Sequence, residues 1–71
     1  MVEAEEREFA RAASQKQVGM RAFIGKQALH SGATIALYGP DETKHWTPLV
    51  ICYGSDHRDR AAAFVDRFNQ L

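Results

Sequence analysis

The side chains best suited to chemistry are His30, His45, His57, Cys52 and the carboxylates Asp41, Asp56 and Asp59. Most of them fall in "YGPDETKHWTPLVICYGSDHRD", residues 38 to 59. Imidazole, thiolate and carboxylate are the common zinc ligands, and a His beside a carboxylate can act as a general base. Spacing works against both uses. The chain has no HxH, HxxxH or CxxC pair, so a metal site from Asp41, His45, Asp56 and His57 would need two separate turns to converge. His57 falls on the apolar arc of a helical repeat beside Ala61 and Phe64, which predicts a half-buried imidazole with one nitrogen satisfied by a carbonyl or solvent. Cys52 sits between Ile51 and Tyr53 in an apolar run and reads as a small core hydrophobe, because a nucleophilic thiol needs exposure and a lowered pKa. "GSD" at 54 to 56 offers helix-start amides, but Asp56 and Asp59 would repel an anion there. No G-x-x-x-x-G-K, G-x-G-x-x-G or G-x-S-x-G is present. The expectation is no catalytic residue, no metal and no cofactor.

Any site must be held by a single small domain, residues 1–71, whose core is marginal. A chain of 71 residues buries only about 60% of its unfolded surface, and folds of this size usually add disulfides, a metal or self-association. Cys52 is the sole cysteine, so an internal disulfide is excluded. A lone cysteine and an acidic start, "MVEAEEREFA", predict a reducing compartment and a cytoplasmic location. No apolar run approaches the roughly 20 residues of a membrane span. Nine Lys and Arg balance nine Asp and Glu, so no net field draws the chain to nucleic acid or anionic lipid.

The pattern predicts an α+β domain of order αβββα, a three-stranded antiparallel meander packed against a C-terminal amphipathic helix. Val2 to Val18 lacks Gly and Pro, places Glu3, Glu5 and Glu6 at the positive end of the helix dipole, and meets a stop at Gly19. Its apolar arc holds one large anchor, Phe9, with Val2, Ala12 and Ala13, and is shared with Glu5, Glu6 and Lys16. This helix is therefore expected to be peripheral or at an interface. Strands are expected at Met20 to Ile24, at Ala33 to Tyr38 with Ile35 and Leu37 on one face, and at Thr47 to Tyr53 with Pro48 at its start. After the "GSDH" turn, capped by Ser55 or Asp56, the last helix gathers Ala61, Phe64, Val65, Phe68 and Leu71 on one side.

The element order αβββα resembles that of double-stranded-RNA-binding domains, and "GP" before a basic and aromatic stretch is similar to one of their loops. Here "GPDETKH" falls between the second and third strands rather than the first and second, and the last helix opens on "SDHRDR" where that family carries lysines. The likeness ends at element order. Lys44, Trp46, Arg60 and Arg67 remain as a local basic and aromatic patch for nucleic acid, the second choice among partners.

Protein–protein interaction is the first choice. The third strand is apolar on both faces, Leu49, Ile51 and Tyr53 against Val50 and Cys52, and a meander leaves it at a sheet edge with no charge along it. Phe9, Pro48, Val50 and Cys52 are the expected interface. The partners would be a second copy of the chain and another protein, the chain serving as an adaptor, regulator or inhibitor and not as an enzyme.

Overall fold

Alternation in Ala33–Gly39 and the β-branched run Thr47–Tyr53 produce neighbouring antiparallel strands, and a shorter apolar stretch joins them on the far side. The computed structural model describes residues 2–25, 32–40 and 46–71. Its elements are α1 (Val2–Ser14), β1 (Arg21–Ile24), β2 (Ala33–Gly39), β3 (Thr47–Tyr53) and α2 (His57–Asn69). One sheet of order β1-β2-β3 results, both pairings antiparallel. The α+β meander is therefore as its sequence pattern requires.

Register decides which side chains go inside. Ala22 pairs with Tyr38, Ala36 with Val50 and Thr34 with Cys52, so these residues share one face. Both helices pack there: Phe9, Ala12, Ala61, Phe64 and Phe68 form a single cluster with Ala22, Ala36, Tyr38, Val50 and Cys52. Between Ala36 and Leu37 the register slips, since Ala36 faces Val50 while Leu37 faces Pro48. Leu49 is thus the extra residue of a bulge, which turns both Leu49 and Val50 into the core.

Element ends depart from expectation for local reasons. The first helix stops at Ser14, not Val18, because Gln15 and Lys16 donate to carbonyls three residues back at 3.0 and 3.2 Å, tightening the last turn. Gly19 instead serves the turn into β1, with φ of 94°. Asp56 does precede α2, but its left-handed backbone, φ 60°, makes no side-chain cap, because a capping side chain needs an extended backbone to reach the first-turn amides. Arg60 closes that turn instead, donating to the carbonyls of Ser55 and Tyr53. The last helix ends at Asn69, so Leu71 lies outside the buried arc and is exposed.

Candidate interaction surface

Three of the four residues expected at an interface belong to the chain's own core. Phe9, Val50 and Cys52 are only 6%, 1% and 0% exposed, whereas Pro48 is exposed. The reason is that α1 closes over β3: Phe9 stacks at 5.4 Å on Phe64 and fills the space above Val50 and Cys52. A helix with a single large anchor suffices because the polar residues of its arc act as clasps. Glu5 accepts from Arg60 at 3.2 and 3.3 Å, Glu6 pairs with Arg67 at 2.9 Å, and Lys16 donates to the carbonyls of Phe68, in the last turn of α2, and of Leu71 just beyond it.

Those clasps also consume the expected nucleic-acid cations. Arg60 is held by Glu5 and by the β3–α2 turn. Arg67 is held by Glu6 and lies 4.3 Å over the Phe9 ring, a cation–π contact. Trp46 is exposed, and Lys44 lies outside the described residues. The four do not form a patch of free charge, since two are already neutralised within the fold.

The chemically versatile residues take structural roles. His57 Nδ1 lies 2.7 Å from the Thr34 hydroxyl, so the partner of this half-buried imidazole is a side chain rather than a carbonyl. Burial, then the nearby Glu5 carboxylate, pushes the Cys52 thiol up to about 11, with Arg60 opposing. A thiol held protonated in this way is a poor nucleophile. His30, His45 and Asp41 lie outside the described residues.

The third strand is an edge, but not a bare one. Its Ile51 N–H donates to Glu8 Oε1 at 3.3 Å, its Tyr53 carbonyl accepts from Arg60, and the Leu49 bulge and Pro48 interrupt the remainder. The opposite edge is closed too: Asn69 Oδ1 accepts from the Ala22 N–H at 2.7 Å, and Asn69 Nδ2 donates to the Ala22 carbonyl at 3.2 Å. A carboxamide thus imitates the missing strand on β1. Helix side chains guard both edges, which disfavours edge-to-edge pairing.

What the two helices leave uncovered is the opposite sheet face. Phe23, Ile35, Leu37 and Ile51 share it by register, with Pro48 and Tyr53 on the same side of β3; Leu37 is buried, Phe23, Ile35 and Ile51 are half-buried, and Pro48 and Tyr53 are exposed. Tyr53 is 51% exposed, and Trp46, two residues before Pro48, is 53% exposed. Gly25 makes room on this face, because a Cβ there would meet Ile35 Cγ2 at 2.8 Å. Arg21, at a corner, is the only charged residue in any of the three strands. Sequence reasoning passed over this surface because the third strand is apolar on both sides and nothing in it says which side the helices take. The signal was there in the second strand, whose Ile35 and Leu37 are bulkier than the Thr34 and Ala36 that the helices require. Compared with protein-family models, curated proteins and solved structures, the chain matches none of them.

Proposed function

We propose that this protein acts by binding another protein chain through the helix-free face of its sheet, without catalysis. The observation that carries the reading is an apolar, nearly charge-free face with exposed aromatic residues at its margin, on a sheet whose two edges are closed by Asn69, Glu8 and Arg60. Aromatic side chains surrounding aliphatic ones are the composition of an interface core. Half-buried Phe23, Ile35 and Ile51, with exposed Pro48, Tyr53 and Trp46 beside them, leave apolar surface there for a partner to cover.

Two substitutions one residue apart test this. Val50→Lys places an ammonium in the core and should abolish folding, since an unpaired buried charge costs several kcal/mol in a domain this small. Ile51→Lys, on the open face, should leave circular dichroism and cooperative melting intact while removing partner capture from cell lysate. Capture by the parent should survive nuclease and change little with salt, because phosphate-mediated binding weakens steeply as salt rises. Capture lost on nuclease treatment, or retained by a folded Ile51→Lys variant, counts against the proposal.

A further inference from the structure

We infer that α1 is a detachable strap whose hold on the fold is set by ionic strength, and that its release bares Val50, Cys52 and Phe64 together with the edge of β3. This helix lies on the sheet face away from Phe23, Ile35 and Ile51, so its release is independent of what binds there. The two helices are held in different ways. α2 packs on all three strands, buries Ala61, Phe64 and Phe68, and fastens to β1 through the neutral carboxamide of Asn69. α1 packs chiefly on β3, and among its described side chains Phe9 is the one large hydrophobe that is buried.

Charge supplies most of the remaining hold. Glu5 takes Arg60 and Glu6 takes Arg67, Glu8 accepts from the Ile51 N–H at 3.3 Å, and Lys16, just past the helix, donates to the Phe68 and Leu71 carbonyls at 2.8 and 3.2 Å. Gln15, accepting from the Tyr38 hydroxyl at 3.2 Å, adds a neutral bond. Glu6 and Arg67 both stand half in solvent. Such pairs are screened as added salt shortens the Debye length from about 10 Å at 0.1 M to about 3 Å at 1 M. The apolar contacts of α2 carry no charge to screen. Salt therefore loosens one helix and leaves the other in place.

Release has a defined product. Residues 15–20 join α1 to β1 without helix or strand, and Gly19 turns there at φ 94°, so α1 can leave while β1 keeps its pairing with β2. Phe64 then loses the Phe9 ring stacked on it at 5.4 Å, Val50 and Cys52 lose their cover, and the Ile51 N–H loses its acceptor. Glu5 is the deepest of the strap's charges at 5% exposed, and it lies against the Cys52 thiol, so that thiol meets solvent only when Glu5 withdraws. An apolar trough beside a strand edge is thus closed at low salt and open for a larger fraction of the time at high salt.

Cys52 is the sole cysteine, so its labelling by an aromatic disulfide reagent at fixed pH reports the opening. Raising NaCl from about 0.1 to about 1 M should speed labelling about fivefold or more, with amide hydrogen exchange of β2 and α2 unchanged. Glu6→Gln should speed it about two- to fivefold at the lower salt and flatten the salt response. Phe9→Ala should speed it about 100-fold or more while β2 and α2 amides stay protected. In the parent, α1 amides should exchange faster than those of β2. Labelling that ignores salt overturns the strap, as do α1 amides that exchange in step with β2, because the whole chain then opens as one unit. A Phe9→Ala chain unfolded throughout overturns it too, since the sheet and α2 would not stand without the anchor of α1.

Discussion

At the scale of single residues, the least reactive thiol and the smallest side chain make the sharpest predictions. Cys52 titrates near 9.0 in an open chain and near 11 when folded, chiefly because burial disfavours the thiolate. The folded state therefore holds a proton that the unfolded state releases, so stability is complete below pH 9 and declines as pH rises towards 11. The loss should reach up to about 3 kcal/mol, two pKa units converted. Urea melts of the parent and of Cys52→Ala across this window should diverge in slope, the parent falling faster. Gly25 makes the second case. Because Ile35 is β-branched and stiff at χ1, its Cγ2 cannot swing away from a new methyl 2.8 Å distant, so Gly25→Ala should cost about 1 to 3 kcal/mol by overpacking. A melting point unchanged in that variant would mean the strand shifts freely there.

At the scale of elements, α2 is the organiser. It packs on all three strands' inner face, its Phe68 ring lies 5.1 Å from Tyr38, and Ala61, Phe64 and Phe68 are all buried. Phe64→Ala and Phe68→Ala should each destabilise by about 3 to 5 kcal/mol, enough to unfold a domain of this size. A cooperative thermal transition at the parent's temperature in either variant would remove that face from the core. This face was legible in the sequence because its apolar residues recur at helical spacing, as were β2 and β3, which show alternation and flanking glycines. The weight carried by α1 was not legible. Glu5, Glu6 and Lys16 look like interruptions of its apolar arc until their partners, Arg60, Arg67 and the last carbonyls of α2, are brought alongside by tertiary structure. Nor was the inside of β3 legible, since two apolar faces carry no asymmetry to read and the bulge at Leu49 turns consecutive residues inward.

At the scale of the whole molecule, thermodynamic linkage offers an independent readout of binding at the helix-free face. A partner that binds only the folded chain stabilises it by mass action, so the melting temperature of the parent should rise as the captured partner is added. That of Ile51→Lys should not. A parent melting point that ignores the added partner would contradict binding at that face. The hairpin contacts among β1, β2 and β3 are local in the chain, whereas those that complete the fold are not.

The clasp of Glu5 on Arg60 joins residues 55 positions apart, and that of Lys16 on Phe68 joins residues 52 apart. Vectorial synthesis gives this distance a cost in time. At 5 to 20 residues per second, about 3 to 11 seconds separate the making of Phe9 from that of Phe64. During that interval the nascent α1 has no ring to stack on and no guanidinium for its carboxylates. Its many charged side chains keep the waiting segment hydrated. The side chains that close the two sheet edges from α2, Arg60 and Asn69, are made after all three strands, so edge guarding is complete only once α2 has emerged.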